Sequence, residues 1–376
     1  MDRRAFMTAA GLTAATVMAP GAGAQSMDVK PESWKQTQVT GRIKLGQESA
    51  ESTDKYYAYL ARYGVRHTVG SPVIEDPNRL YPTVDELHKL KELGSRHGVT
   101  VEMIKGKFLG SGGKNVDHQK HPAIVLGESP ERDRLIDAFN TTIRNCARVG
   151  IPAVKYNLEI LGVLRDEHVS GRGDAEYVGW DLSKAPKRLP LTKAGTVDAH
   201  AFWERIQYFL DRVVPVANEY RIRIACHPQD PGVPVSGYRG VVRVLGTIRG
   251  LKRFVEYRES PYHGLNFCQG TIAEDLERPN QQIHEVIRWF GERKKIFNVH
   301  FRNIRGHRND FVETFQDDGS VDMVKCLQTY RAVGYEGMLC PDHSVPVPGD
   351  PDARIEDFAF MFGYIRGLIQ SADILT

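Results

Sequence analysis

The sequence has no run of about eighteen uncharged apolar residues beyond its N-terminus, so no membrane span is expected in the mature chain. It also lacks an excess of either charge: 50 Lys and Arg stand against 47 Asp and Glu, for a net charge of +3. The two signs are mixed along the chain. There is no basic stripe of the kind that holds phosphates, so no nucleic-acid partner is expected. Cysteine is sparse. Cys146, Cys226, Cys268, Cys326 and Cys340 are odd in number and widely spaced, which gives no disulfide framework. Some of these thiols are then expected to be buried or bound to something. No linker divides the chain, and nothing repeats at a fixed period. What is present is 41% hydrophobic residues in a chain of 376, enough for a sizeable core.

The N-terminus differs from the rest. "MDRRAFMTAAGLTAATVMAPGAGAQS" pairs Arg3 with Arg4, continues through a mildly apolar Ala-rich run, and ends in Ala22-Gly23-Ala24. Twin arginines before an A-x-A cleavage pattern read as a twin-arginine export signal. Cleavage is expected after Ala24. Residues 1–24 are then a signal peptide and 25–376 the catalytic domain, which is expected to be periplasmic or otherwise exported, with the twin-arginine machinery as its partner. Whether the mature chain forms a homo-oligomer is left open.

Short apolar runs then alternate with amphipathic ones. The strand-like runs are "RIKLG" from Arg42, "RHTVG" from Arg66, "VTVEMIK" from Val99 and "PAVKYN" from Pro152, followed by "RIRIACHP" from Arg221, "GLNFCQG" from Gly264, "KIFNVHFRN" from Lys295 and "GMLCPDH" from Gly337. Between them lie helical patterns. One has Ser129 as N-cap, Pro130 at its first position and Gly150 as terminator, with Leu135, Phe139, Ile143 and Cys146 on one face. A second aligns Phe202, Ile206, Phe209 and Val213. A third aligns Met323, Leu327 and Tyr330 behind a Ser320 cap. A last helix is expected over about 354–370. Eight such units point to a single-domain (β/α)8 TIM barrel. An open doubly wound sheet is the alternative, but "LGSGGKN" from Leu109 does not match the G-x-G-x-x-G phosphate loop. Two long loops, about 107–129 and 159–197, leave the C-terminal ends of strands, which form the active face of a barrel.

The last four of these strands end in His227, Cys268, His300 and Asp342. Strand ends converge on the barrel mouth, and two imidazoles, a thiolate and a carboxylate are first-row transition-metal ligands. Strand alternation turns Phe301 into the wall and returns Arg302 to the mouth. There it is suited either to grip a carboxylate with paired hydrogen bonds or to bridge a loop acid.

"CHPQDPG", "GLNFCQG", "VHFRNIRG", "DDGSVDM" and "CPDH" together resemble the mannonate dehydratase family, a xylose-isomerase-like barrel family, over about 156–343. The resemblance implies a metal-dependent lyase. Mn2+ is the usual ion, with Zn2+, Fe2+ and Co2+ left open. It implies loss of water from a sugar acid, D-mannonate, to give 2-keto-3-deoxy-gluconate. It places the metal ligands at His227, Cys268, His300 and Asp342, and the acid/base histidine at His343. Arg302 is then expected to orient the substrate carboxylate. Tyr156 and Asn157, at the end of the fourth strand, are candidates to reach sugar hydroxyls, with an ordinary strand-end hydrogen-bond role as the alternative. The family has a Gly-Tyr-rich segment after its PDH motif, whereas "SVPVPGDPDAR" follows His343 here and holds no tyrosine. Arg165, Arg172 or Tyr177 is expected to supply the missing group, with Arg172 a substrate-binding candidate. A metal-dependent sugar isomerase or epimerase, and an exported sugar-acid binding protein without catalysis, are the competing readings.

Overall fold

The computed structural model describes residues 43–48, 51–110, 113–349 and 355–374. The expected signal peptide, with its twin arginines and cleavage site, lies outside the described residues.

Twelve strands occur among the described residues: β1 (Lys44–Glu48), β2 (His67–Gly70), β3 (Thr100–Lys105), β4 (Ala153–Asn157), β5 (Glu167–Ser170), β6 (Glu176–Asp181), β7 (Arg223–His227), β8 (His263–Cys268), β9 (Ile296–His300), β10 (Asn303–His307), β11 (Asp310–Thr314) and β12 (Met338–Cys340). Eight of them close a parallel barrel in the order β1-β12-β9-β8-β7-β4-β3-β2. Each coincides with one of the eight apolar runs in the sequence, and the open-sheet alternative is excluded. Register brings functional candidates side by side: Asn157 pairs with His227, and Cys268 with His300.

The pleat sorts the side chains of each barrel strand into two populations. Val69, Met103, Ala153, Ala225, Phe297, Met338 and Cys340 form a small apolar cluster. It is separate from the main core of strand and helix residues, to which Val154, Tyr156, Ile224 and Leu265 belong. Along β4, Lys155 and Asn157 therefore share the face of Ala153, whereas Tyr156 shares that of Val154.

The helices bury the faces read from their periodicity. Leu135, Phe139, Ile143 and Cys146 are buried on Glu131–Val149, Phe202, Ile206, Phe209 and Val213 on Ala199–Tyr220, and Met323, Leu327 and Tyr330 on Met323–Ala332. Two caps differ from expectation. Pro130, not Ser129, is the N-cap of the first; the Ser129 hydroxyl instead donates to Asp133 at 3.1 Å. Asp322, not Ser320, caps the third, accepting from Lys325 N at 2.9 Å. The last helix runs Glu356–Ile374, later at both ends than expected.

The larger departure is a second sheet, antiparallel, in the order β10-β11-β6-β5. The long segment after β4 is not a loop, because it carries β5 and β6. The run "NVHFRN" is not one strand, because β9 stops at His300 and β10 starts at Asn303. β5-β6 and β10-β11 are local hairpins, but the central β6-β11 pairing joins residues far apart in sequence, as with Phe311 against Trp180. No local pattern encodes such a pairing. Among the described residues, no helix is long and apolar enough to cross a membrane.

Candidate active site

His227, Cys268 and His300 are the last residues of β7, β8 and β9, and Asp342 follows β12 by two residues. One ligand atom from each lies within 4.8 Å of all the others. Cys268 Sγ is 3.2 Å from Asp342 Oδ2, His300 Nδ1 is 3.0 Å from Asp342 Oδ1, and the two imidazole centroids are 5.1 Å apart.

The surroundings fix how each group faces inward. His227 Nδ1 lies 2.6 Å from the Pro228 carbonyl, so it donates there and leaves Nε2 as the free nitrogen. His300 Nε2 lies 3.2 Å from Glu48 Oε2 and 3.1 Å from Asn266 Nδ2, which leaves Nδ1 toward the cluster, 3.0 Å from Asp342 Oδ1. A carboxylate behind a ligating imidazole is a recurrent device for setting its tautomer. Cys268 Sγ accepts from the amide and hydroxyl of Thr271 at 3.4 and 3.1 Å, bonds that favour thiolate. Burial pushes the His227 pKa down to about 3, so the ring is neutral, as a ligand must be. Burial disfavours the Asp342 anion, but His300 and His343 outweigh this and hold its pKa well below the usual range. Burial raises the Cys268 thiol, which a bound cation reverses. A mixed N, S and O donor set gathered within 4.8 Å fits a divalent transition metal.

Arg302 does reach the mouth, but not as a carboxylate clamp. Its Nε donates to Asp342 Oδ2 at 2.9 Å, its Nη1 to Glu274 and Glu313 at 2.6 and 2.7 Å, and its Nη2 to Asp230 and Thr271 at 2.9 and 3.1 Å. All three nitrogens are taken, and the residue is 3% exposed. The salt-bridge alternative is the one observed. Arg165 completes the buried network through Asp230, Glu274 and Glu313. A β-carbon on Gly270 would come within 2.5 Å of Arg302 Nε, so glycine at 270 makes room for the guanidinium.

His343 lies beside the candidate ligands with its side chain 31% exposed. Its Nδ1 is 2.6 Å from Glu313 Oε1, and its Nε2 is 3.8 Å from Asp342 Oδ1. Desolvation favours the neutral ring, but Asp342 and Glu313 outweigh it and raise the pKa above the ordinary imidazole value. His343, Asp342, His300 and His227 line a cavity of about 700 Å³ together with Glu48, Lys105, Lys155 and Asn157. The Asn157 side-chain oxygen is buried without a hydrogen-bond partner and its residue lines the cavity.

Three other candidates are not at the cavity. Tyr156 faces the helices and packs between Phe139 and Phe209, with centroids 5.4 Å from each. Arg172 pairs with Asp317 at 2.8 Å and lies over the Phe315 ring, away from the cavity. The Tyr177 hydroxyl donates to Asp318. The tyrosines that do line the cavity are Tyr56 and Tyr59. Sequence reading missed Glu48, Lys155 and Glu313. Lys155 had a signal, a charged residue at an inward position of an otherwise apolar strand. Glu48 and Glu313 had none, because only folding brings them near His300 and His343.

A closed parallel barrel that gathers two histidines, a cysteine and an aspartate at its mouth defines a (β/α)8 protein with a candidate mononuclear metal centre. The family model described as D-mannonate dehydratase (UxuA) matches residues 172–375. A mannonate dehydratase of Thermotoga petrophila is 31% identical over 351 residues, covering 82% of this chain and 91% of that protein. Mannonate dehydratase 1 of Halalkalibacterium halodurans is 30% identical, covering 78% and 86%. The chain belongs to the mannonate dehydratase family. Its fold is also that of the mannonate dehydratase from Streptococcus suis serotype 2, with a TM-score of 0.74 at 23% identity, covering 88% of this chain and 95% of that one.

Proposed function

We propose that this chain is a metal-dependent sugar-acid dehydratase that converts an aldonate, D-mannonate by family default, to a 2-keto-3-deoxy acid. The observation that carries the reading is the convergence of His227, Cys268, His300 and Asp342 beside His343 in one cavity. We assign the metal to those four residues and take it to be Mn2+. Bound there, a divalent ion supplies Lewis-acid stabilisation of charge developing on substrate oxygens.

The chain's own residues supply the rest. The carbon next to the carboxylate loses its proton, the next carbon loses its hydroxyl as water, and the resulting enol becomes the ketone. His343 moves a proton at Nε2, because Glu313 holds Nδ1 and fixes the ring. Asn157 offers its amide to a sugar hydroxyl. Arg302 acts by fixing Asp342.

The test is incubation of the purified protein with D-mannonate and a panel of other aldonates, with and without Mn2+ and after chelation. Metal-dependent formation of a keto-deoxy acid supports the reading. Isomerised sugar, or no product from any acid, overturns it. We further propose export through the twin-arginine route, supported by Arg3, Arg4 and Ala22-Gly23-Ala24. Exported protein whose first residue is still Met1 counts against it.

A further inference from the structure

With Arg302 engaged internally, a side-chain cation for the substrate carboxylate has to come from elsewhere in the cavity. Lys155 is the charged residue of β4 that faces the barrel interior; its side chain is 5% exposed and lines the cavity with His227 and His300. Its ammonium pairs with Glu48 Oε2 at 2.5 Å. The same oxygen lies 3.2 Å from His300 Nε2, and Lys105 reaches Glu48 Oε1 at 3.4 Å. One carboxylate therefore serves two ammonium groups and a histidine. Glu159, also at the cavity, is committed to Arg243 and to the amides of Ile160 and Leu161. A desolvated ammonium is costly unless anions surround it, and the share of Glu48 that reaches Lys155 is divided.

We propose that Lys155 is the cation that receives the sugar acid's carboxylate, with Glu48 holding its ammonium in place and Lys105 adding a second positive charge on the same wall; this rests on the dehydratase reading above. Three rotatable N–H donors let Lys155 keep Glu48 while it binds a substrate oxygen. Its charge lies where negative charge builds on the carboxylate as the neighbouring proton leaves.

The test reads binding in Mn2+-loaded protein carrying His343→Asn, so that turnover does not interfere. Calorimetric affinities for D-mannonate and for its neutral amide, D-mannonamide, are compared with Lys155 intact, with Lys155→Met and with Lys155→Arg, at matched metal content. Lys155→Met is expected to reduce the preference for acid over amide by about ten- to a hundredfold, the scale of one hydrogen bond to a charged group. Lys155→Arg is expected to keep most of that preference. An unchanged preference in Lys155→Met overturns the proposal, as does absence of binding of both compounds to the parent. Should Lys155→Met fail to fold, Lys155→Gln is read by the same criterion. The dehydratase reading fails separately, by absence of product from the unmodified protein, because this comparison reads binding alone.

Discussion

Arg302 Nε donates to Asp342 Oδ2 at 2.9 Å, while Asp342 Oδ1 lies 3.0 Å from His300 Nδ1. One carboxylate thus joins the buried arginine network to the candidate metal ligands. Arg302→Lys is expected to act through this link. A lysine cannot reproduce the planar fork, and Asp230, Glu274 and Glu313 lose part of their compensation. Metal affinity should fall about ten- to a hundredfold, the scale for loss of a partner behind a ligand. Stability should fall by about 3–5 kcal/mol. Metal titration and urea unfolding check both. Full metal affinity with loss of acid selectivity alone would restore Arg302 as the carboxylate clamp.

Cys268→Ala removes the only sulfur donor of the set. The variant should fold, because alanine fits the space, but it should purify with little bound metal. Elemental analysis decides this, and full occupancy would remove Cys268 from the ligand set.

His343→Asn should retain metal and lose turnover by about 10²–10⁴-fold, the usual contribution of a general acid or base. Its asparagine can still reach Glu313, which separates the loss of a proton carrier from the loss of packing. Near-normal turnover in that variant would exclude His343 as the proton-transfer group.

His263 carries a pH prediction far from the cavity. It is fully buried, its Nε2 lies 2.9 Å from the Phe254 carbonyl, and its Nδ1 has no partner. Burial pushes its pKa down to about 4. Between the ordinary value of about 6.5 and this one, the unfolded chain binds a proton that the folded chain does not. Stability should therefore fall as pH drops through that window, by up to about 3 kcal/mol at about 1.4 kcal/mol per pH unit. Urea unfolding of metal-free protein at several pH values, with and without His263→Gln, checks this. An unchanged slope in the variant would assign the acid sensitivity elsewhere.

The sequence by itself determined the barrel and brought four candidate metal ligands to its mouth. Each barrel strand is a short apolar run bounded by turn residues, a local signal. A barrel strand ends at its mouth wherever the run ends, so His227, Cys268 and His300 could be placed from their positions alone, and Asp342 came two residues beyond its strand. Tertiary structure decided which charges meet. Arg302 reads as a free fork until Asp230, Glu274 and Glu313, from three separate segments, close on it. Tyr156 and Lys155 are neighbours in sequence, and the pleat sends one to the helices and the other to the cavity. The sheet of β5, β6, β10 and β11 was not read from the sequence: its two hairpins, β5-β6 and β10-β11, are short and partly exposed, and the β6-β11 pairing that joins them links residues more than a hundred positions apart. Hydrophobic periodicity is written residue by residue, whereas the partner of a buried charge depends on distances that exist only once the chain is folded.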